Sequence, residues 1–399
     1  MNTERSVHVR TATADDWQTA ELLDAVAFGE HTSREGEAFI RTVTDPGDIV
    51  LATVDDAPVG VALHMPMQIT VPGGGQVDAR GVSWVSVAPT HRRRGVLRTM
   101  FTALHERIAA TGAPLAALVA SEATIYGRFG YGPATVKSSI TLDRRFATFR
   151  DEVPDPGGVE IADPDTARTR LPGIYDRWQR VTPGAQARPP AFWDLMFGDP
   201  DTRRRDGTPL FFLLHPDGYV AYRYLGKHRR TARIDDFVAV TEDAYAALWR
   251  AVCGLDLTHT IEAAQHRDAS LRMLLTDYRL VRTTASVDDL WLRIMDVPAA
   301  LEARTYLGDL DTVLEVDDDF RAAGGRFRLR VENGTAQVTR TDAAPAVRLD
   351  LEVLASLYLG THRPRQFAAA HRLHTDPATL AALDVAFDAD RPAVMGWTF

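Results

Sequence analysis

The stretch that decides the fold of the first part of this chain reads Val82-Ser-Trp-Val-Ser-Val-Ala-Pro-Thr-His-Arg-Arg-Arg-Gly-Val-Leu-Arg98. An apolar run typical of a β-strand ends at Val87, a turn with proline follows, and three arginines lead to Gly95. From Leu97 onward, apolar residues recur at the spacing of one buried helix face, and Gly112 ends the pattern. The stretch therefore predicts a strand, a turn and a helix in direct succession.

Three positive charges precede the predicted helix, at Arg92, Arg93 and Arg94. Cations at a helix N-terminus oppose the helix dipole by roughly 0.3–1 kcal/mol each, so their accumulation there conflicts with helix stability. The ordinary explanation is a solvated charge run on the surface. A bound anion would remove the conflict, because helix N-terminal N–H groups and arginines together suit a phosphate. The stretch therefore predicts an anion site, suited to a pyrophosphate.

Composition limits the classes of protein to which the chain can belong. It has 399 residues, 45% of them hydrophobic, a formal net charge of −9 and a single cysteine, Cys253. The negative charge argues against general nucleic-acid binding, and one cysteine cannot form an intrachain disulfide. The sequence contains no apolar signal segment and no run of about 18 apolar residues that would span a membrane. We expect a multidomain cytoplasmic protein with no membrane partner, and no metal site, since the twelve histidines lack metal-ligand spacing.

The order of strand and helix patterns divides the chain into three predicted domains. Residues 1–150 alternate strands and helices in a mixed α/β pattern, and the stretch Asp151–Gly158, rich in proline and glycine, reads as a linker. In residues 151–290, a strand pattern at Ile234–Val240 leads into a helix, which is the same layout as in the opening stretch. The second domain is therefore interpreted as a repeat of the first, although any α/β domain contains strand–helix units of this kind.

The predicted repeat lacks the arginines. Glu242 and Asp243 stand at the mouth of its helix, where two carboxylates would repel a phosphate, so we expect no cofactor in this domain. Residues 291–399 place alternating strands on either side of Asn333-Gly334, the strongest short signal of a β-hairpin, ahead of helical patterns. That order predicts a third domain of the α+β class.

The motif Val85-Ser-Val-Ala-Pro-x-x-Arg-Arg-x-Gly resembles the acyl-CoA loop of the GNAT superfamily of N-acetyltransferases. The family pattern Arg/Gln-x-x-Gly-x-Gly/Ala falls on residues 92–97, and Leu97 departs from it at the last position. The resemblance implies acetyl-CoA as co-substrate. The cofactor-binding residues that we expect are Val85, Ser86, Val87, Arg92, Arg93, Arg94, Gly95, Val96, Leu97, Arg98, Ser121 and Glu122.

A second block, Ala120-Ser-Glu-Ala-Thr-Ile-Tyr-Gly-Arg-Phe-Gly-Tyr-Gly-Pro-Ala-Thr135, is more specific. With the chain length and the C-terminal pattern, it resembles the Eis (enhanced intracellular survival) family of aminoglycoside N-acetyltransferases over essentially the whole chain. The resemblance implies tandem GNAT-like mixed-sheet domains, α/β in class, followed by an α+β domain similar to sterol carrier proteins. It also implies a homohexamer built as a trimer of dimers.

Two residues are expected to carry the chemistry of acetyl transfer. Tyr126 follows a predicted strand, and a phenol with a pKa near 10 stays protonated at pH 7, so it can act as general acid toward the leaving sulfur. Packing in a core is the alternative role; we expect Gly127 and Gly130 to leave its surroundings open and Tyr131 to be structural. The aromatic end of the chain predicts a tail packed against protein, on the surface or in the site. The resemblance implies that the terminal carboxylate of Phe399 is the general base.

Other predictions concern how the two substrates are held. A backbone N–H near Val85 is expected to polarise the thioester carbonyl, which requires a local splay of the sheet instead of regular strand pairing. Trp84 and the N-terminal helical region are expected to contact the acceptor, because aromatic rings and carboxylates suit a polyamine. The helical residues considered are Asp24, Phe28, Glu30 and Glu37, which can equally be ordinary helix surface.

These features predict an acetyl-CoA-dependent N-acetyltransferase acting on a small multi-amine compound, such as an aminoglycoside, or on lysine side chains. Direct transfer in a ternary complex is expected, because Cys253, the single thiol, lies in a helical pattern and is a poor nucleophile there. Two alternatives remain: an acyl-CoA sensor whose catalysis has lapsed, and a lipid carrier centred on the third domain.

Overall fold

The first part of the chain alternates strands and helices, as its sequence predicts. The computed structural model describes residues 6–204, 206–321 and 323–399. A 3-10 turn at Pro89–His91 separates the strand and helix of the opening stretch. The elements up to residue 135 are β1 (His8–Thr11), α1 (Trp17–Phe28), α2 (Arg34–Val43), β2 (Ile49–Val54), β3 (Ala57–Thr70), β4 (Gln76–Val87), α3 (Val96–Ala110), β5 (Leu115–Val119), α4 (Ala123–Tyr126) and β6 (Gly132–Pro133).

The rest of the chain continues in two further segments. The elements of the second segment are β7 (Val136–Asp143), β8 (Glu160–Ala162), α5 (Pro164–Gln179), α6 (Pro190–Gly198), α7 (Asp201–Arg204), β9 (Phe211–His215), β10 (Gly218–Leu225), β11 (Thr231–Ala239), α8 (Glu242–Cys253), β12 (Thr260–His266), α9 (Leu271–Leu274) and β13 (Val281–Asp288). Those of the third are β14 (Leu290–Ile294), α10 (Val297–Ala303), β15 (Leu310–Asp317), β16 (Gly325–Glu332), β17 (Thr335–Arg340), β18 (Val347–Asp350), α11 (Leu351–Leu357), α12 (Pro364–Ala369), β19 (Leu373–His374) and α13 (Pro377–Ala386).

One strand in each of the first two sheets lies outside the predicted domain that builds the rest of that sheet. The first sheet runs β1-β2-β3-β4-β5-β14-β6, and the second runs β13-β7-β12-β11-β10-β9-β8. The sixth strand of the first sheet, β14, pairs antiparallel with β5, and in the second sheet β7 pairs antiparallel with β12 in the corresponding place. Each of these strands comes from the far side of the expected boundary. The compact units divide after Thr135 and before Asp289, whereas the predicted boundaries are at residues 150 and 290.

A buried face of α3 packs against the first sheet. Met100, Phe101, Leu104 and Ile108 are fully buried and form one cluster with apolar residues of the sheet. Their spacing of three and four residues is that of a single helix face, and burial of each such side chain contributes roughly 1.5–3 kcal/mol. The helix that carries the opening stretch is thus fixed to the sheet beneath it.

The third segment builds a five-stranded sheet of order β17-β16-β15-β18-β19. The predicted hairpin is confirmed: β16 and β17 pair antiparallel across Asn333 and Gly334, which adopt φ angles of 51° and 77°. Positive φ at both central residues is the geometry that an Asn-Gly hairpin turn favours. Within the three described ranges, no helix combines the length and the apolar character needed to cross a membrane.

Candidate active site

The strands β4 and β5 separate part-way along their length. They pair in parallel through Ala79–Gly81 and Leu115–Ala117, and within the described residues the pairing extends no further, although β4 continues to Val87. On its other edge β4 stays paired with β3. Backbone groups on the β5 side of the last six residues of β4 are therefore open to a ligand. The separation supplies the splay of the sheet that a thioester site at this strand requires.

A bulge in β4 changes which side chains face α1 and which face the apolar cluster with α3. The register shifts between Val61 and Leu63 of β3, and Trp84, at the bulge, adopts φ 53°. Such an extra residue shifts the alternation of the strand. Ser86, the residue after the bulge, contacts α1. The Val85 side chain packs against the apolar cluster that includes α3. The bulge thus turns Trp84 and Ser86 toward the helical cover of the sheet.

The mouth of α3 has a backbone suited to an anion. Gly95 adopts φ 80°, and Arg93, two residues earlier, adopts φ 64°. An added Cβ at Gly95 would meet no atom within 4 Å, so glycine is favoured there by the backbone angle and not by lack of space. The first helical hydrogen bond is donated by Thr99 N to Gly95 O at 3.0 Å. The N–H groups before Thr99 lie at the helix start, where the helix itself supplies no acceptor.

The arginine side chains of the loop are exposed. Among the described residues, no carboxylate forms an ion pair with Arg92, Arg93 or Arg94, so nothing in this part of the chain neutralises their charge. Leu97, which departs from the family pattern, is half-buried and packs against the apolar cluster. The guanidinium of Arg98 lies 5.7 Å from the ring of Phe320. The loop can therefore hold a phosphate-bearing group.

Tyr126 lies in the same apolar cluster as β4 and α3. Its ring is 4% exposed, and its centroid lies 6.1 Å from that of Phe101. Burial raises the pKa of Tyr126 above its usual value, and a hydrogen bond with Ser121 offsets part of the rise. The phenol is therefore protonated at neutral pH. Glu122, the N-cap of α4, and Ser121 are both exposed beside it.

The second phenol of this block has a structural place. Tyr131 is fully buried, and its hydroxyl is bonded to His105 Nε2 at 2.8 Å. Burial raises its pKa, and burial holds the pKa of His105 well below the ordinary value. The expectation that glycines leave the surroundings of Tyr126 open is wrong. An added Cβ at Gly127 would lie 2.6 Å from Glu352 Oε2, and one at Gly130 would overlap the guanidinium of Arg293.

The end of the chain is anchored in steps. Residues 392–396 belong to the same compact unit as the second segment, and Gly396 N donates to Gln186 Oε1 at 2.8 Å. The last three residues belong to the unit of the first sheet. There, Trp397 packs edge-on against Phe39, and the ring of Phe399 lies so close to Gly81 that an added Cβ would be 2.9 Å from Cε2. Phe399 thus contacts β4 at the residue where β4 and β5 separate.

One carboxyl of the N-terminal helices is buried next to β4. Asp24 of α1 is 8% exposed and accepts a hydrogen bond from Ser86 Oγ at 3.1 Å. Burial raises the pKa of Asp24 to about 6, and the Ser86 hydrogen bond limits the rise. The ring of Trp84 packs 5.5 Å from that of Trp17, which the sequence reasoning missed. A carboxyl and two indole rings therefore lie on this side of β4.

The other acceptor candidates are not brought into this group. Phe28 is 54% exposed, and Glu30 is exposed beyond the end of α1. Glu37 pairs with Arg41 at 2.7 Å on the surface of α2, one helical turn apart. These three residues have the ordinary helix-surface environment that was the alternative in the sequence analysis.

The second sheet repeats the strand separation without the loop. Its parallel strands β11 and β12 pair only through Thr231–Arg233 and Thr260–Glu262 in the described chain. The two residues 240–241 join β11 to α8, compared with the eight residues 88–95 between β4 and α3. The described chain therefore has no room for an arginine loop between β11 and α8, and Glu242 and Asp243 begin α8 directly. Thr241 Oγ1 caps α8 by accepting from Ala244 N at 3.2 Å.

The remaining candidates carry no chemistry of their own. Burial raises the pKa of the Cys253 thiol to about 12, which leaves it protonated and unreactive at neutral pH. Across the described residues, no three side chains of His, Cys, Asp or Glu are grouped as a metal site.

Comparisons with known families agree with the three-part architecture. Residues 8–134 and 184–294 each match a family described as an acetyltransferase (GNAT) domain, and residues 297–396 match the sterol carrier protein domain. The crystal structure of Eis1 from Mycobacterium abscessus has a TM-score of 0.89 and 31% identity, and the alignment covers 99% of this chain and 100% of that one.

Relatives match over their full lengths. N-acetyltransferase Eis of Mycobacterium tuberculosis (strain ATCC 25177 / H37Ra) is 45% identical over 406 residues, 99% of this chain and all of that protein. An uncharacterized N-acetyltransferase of Streptomyces avermitilis is 35% identical over 98% of both chains. Identity at this level, over the whole length and across all three domains, shows that the chain belongs to the Eis family of N-acetyltransferases.

Proposed function

We propose that this chain transfers the acetyl group of acetyl-CoA directly to an amine of a multi-amine acceptor, such as an aminoglycoside or a lysine side chain. The observation that carries the proposal is the separation of β4 from β5 next to the arginine loop at the mouth of α3. One edge offers backbone groups to an extended arm, and the helix mouth offers N–H groups and cations to phosphates.

Acetyl-CoA fits these residues and would supply an activated thioester. The exposed side chains of Arg92, Arg93 and Arg94, with the N–H groups of Gly95, Val96 and Leu97, suit its pyrophosphate. A backbone N–H between Val85 and Val87 would polarise the carbonyl, and one such donor contributes about 100- to 1,000-fold to a rate, or roughly 3–4 kcal/mol.

Tyr126 is proposed as the general acid. As the new C–N bond forms and the C–S bond breaks, the sulfur gains the phenolic proton, and the amine loses one proton to a base. The raised pKa keeps the proton on Tyr126 until charge develops on the sulfur. The phenolate then regains a proton from solvent and the base releases the proton that it accepted, so the enzyme returns to its starting state.

The terminal carboxylate of Phe399 is proposed as the base. Its support is the position of the Phe399 ring against Gly81, where the strands separate, and the buried Trp397 that holds the tail. A free carboxyl terminus has a pKa of about 3.3–3.7, so it would accept the proton through a water molecule or after desolvation. Asp24, with Trp84 nearby, is proposed to bind the acceptor cation.

The rival functions lack such support. A lapsed acyl-CoA sensor does not require a protonated phenol beside the strand or an aromatic terminus at the point of separation. A lipid carrier would leave the arginine loop without a role. The homohexamer and the cytoplasmic location stay predictions, and light scattering of the purified chain tests the first.

The experiment measures CoA thiol release with tobramycin, kanamycin and a lysine peptide as acceptors, alongside acetyl-CoA binding by calorimetry. We expect release with at least one acceptor at a rate that saturates with both substrates. Tight acetyl-CoA binding without release with any amine would support the sensor, and no binding at all would leave the lipid carrier as the better explanation.

A further inference from the structure

The catalytic tyrosine belongs to a stretch of chain that the third segment contacts directly. We call residues 123–133 the Tyr126 segment. An added Cβ at Gly127 would lie 2.6 Å from Glu352 Oε2, and one at Gly132 would overlap the backbone carbonyl of Glu352 and the Ser356 hydroxyl. Real Cβ atoms do not approach other atoms this closely, so glycine at both positions lets α11 lie against the segment.

The contacting carboxylate is itself held in place. Glu352 Oε1 accepts from Arg372 Nη1 at 3.0 Å, and the same guanidinium donates to Asp350 Oδ2 at 2.9 Å. Asp350 also caps α11 through Val353 N at 2.7 Å. Because the carboxylate has a fixed partner, it cannot turn away freely when the segment moves toward it.

Arg293 and Phe320 make a second set of contacts with the Tyr126 segment, at Phe129. Arg293, fully buried on β14, donates to the carbonyl of Phe129 and to Asp318 Oδ2, the latter at 2.7 Å. The ring of Phe320 packs against that of Phe129 with centroids 4.9 Å apart. The guanidinium of Arg98, which follows the arginine loop, lies 5.7 Å from the same Phe320 ring. Removing one partner of a buried ion pair is strongly destabilising, so Arg293 and Asp318 hold this part of the segment firmly.

We propose that the sterol-carrier-like segment is the support that places the general acid, and that Glu352 is a positioning residue acting on Tyr126 through Gly127. The inference rests on the proposed function, since it takes Tyr126 as the acid. It gives the body of the third segment, in addition to its last residue, a role in acetyl transfer that requires no lipid. A displacement of about 1 Å at a reacting group can cost 100-fold in rate, so support of this kind matters for turnover.

The test compares Gly127→Ala in two backgrounds. In the otherwise unchanged protein, the new methyl group displaces the Tyr126 segment, and we expect kcat to fall about 10- to 100-fold. The KM for acetyl-CoA should change less than twofold, because the arginine loop is untouched. With Glu352→Ala also present, the methyl group has room, and the same change should lower kcat less than threefold. Gly173→Ala is the matched control, since its Cβ meets nothing within 4 Å.

Equal losses of kcat in both backgrounds would overturn the proposal, as would a lower melting temperature with kcat unchanged. If Gly127→Ala fails to fold, Glu352→Ala alone must lower kcat severalfold at constant acetyl-CoA KM, and an unchanged kcat overturns the idea. Adding Gly127→Ala to Tyr126→Phe should cause no further loss. Full activity of Tyr126→Phe would refute the proposed function itself, whereas a slow Tyr126→Phe with a fully active Gly127→Ala refutes only the positioning role.

Discussion

The two seven-stranded sheets share a strand separation and a bulge, and they differ in the side chains next to the bulge. In each, two parallel strands pair over three residues and then separate, and a bulge interrupts the neighbouring antiparallel pair. The residue after the bulge is Ser86 in the first sheet and Asp236 in the second. Ser86 bonds to the Asp24 carboxyl, whereas Asp236 accepts from Arg188 Nη1 at 2.6 Å and from Tyr219 at 2.8 Å.

In the second sheet, the carboxylate after the bulge is therefore already paired with a cation of the chain, Arg188. Arg188 is buried, with its guanidinium 3.9 Å from the ring of Tyr175 and 4.5 Å from that of Phe192. In the first sheet, Arg41 stacks on the Trp17 ring at 4.1 Å and pairs with Glu37 at 2.7 Å, whereas the Asp24 carboxyl accepts from Ser86. The difference teaches that separated strands and a bulge are scaffold features. By our proposal, a catalytic site also needs the loop, a proton donor and a carboxyl left for the substrate.

The largest expected effect tests the proton donor. The short helix after β5 ends in Tyr126, and the one after β12 ends in Leu274, so only the first sheet presents a phenol there. We expect Tyr126→Phe to lower kcat about 100- to 10,000-fold in the CoA-release assay, with acetyl-CoA affinity little changed. Tyr245→Phe, at a half-buried tyrosine of the second segment, is the control and should keep full activity. Unchanged turnover in Tyr126→Phe would remove this distinction between the sheets.

The next effect tests the end of the chain, where the ring of Phe399 contacts the first sheet at Gly81. Adding Gly-Ser after Phe399 moves the terminal charge away from Gly81, and we expect kcat to fall about 10- to 100-fold, as for loss of a base that water partly replaces. The same two residues inserted between Gly226 and Lys227, an exposed loop of the second segment, should have no effect. Full activity of the extended chain would show that the terminus is not the base.

A smaller effect separates the loop from general surface charge. Arg92→Ala with Arg94→Ala removes two cations at the mouth of α3, and we expect the KM for acetyl-CoA to rise about 10-fold, with a weaker salt dependence. Lys227→Ala with Arg230→Ala removes the same charge from an exposed loop of the second segment. If both double variants raise KM equally, long-range charge and not the loop governs binding.

The smallest effect concerns the carboxyl next to Ser86. The pKa of about 6 for Asp24 lies above that of an unfolded aspartate, so the folded chain holds the extra proton between about pH 4 and 6. Stability therefore falls as pH rises through that window, and Asp24→Asn should remove the loss, which is on the order of 1 kcal/mol. Melting curves at pH 4.5 and 8 measure it. Asp236→Asn, which breaks the Arg188 pair, should act with the opposite sign at pH 8.

Local signals in the sequence were enough for the strand, turn and helix of the opening stretch. The spacing of Met100, Phe101 and Leu104 predicts their buried face, and Asn333-Gly334 predicts its hairpin, because these depend on neighbours in the chain. The family, the three domains and the enzyme class followed from motifs of the same local kind.

Features set by distant partners were not predictable. The alternating pattern of Val136–Asp143 indicates a strand but carries no signal for which sheet it joins. Gly127 looked like open space because Glu352, which fills it, is far away in sequence. The positive φ of Trp84 likewise has no local cause, since a large side chain disfavours it.

During synthesis, β5 leaves the ribosome well before the strand that will cover it. About 170 residues separate Val119 from Leu290, so at 5–20 residues per second β14 arrives roughly 10–30 s later. Until then the nascent sheet exposes an apolar edge, and such edges pair readily with other chains. The first sheet is therefore complete only after the whole second segment has been translated.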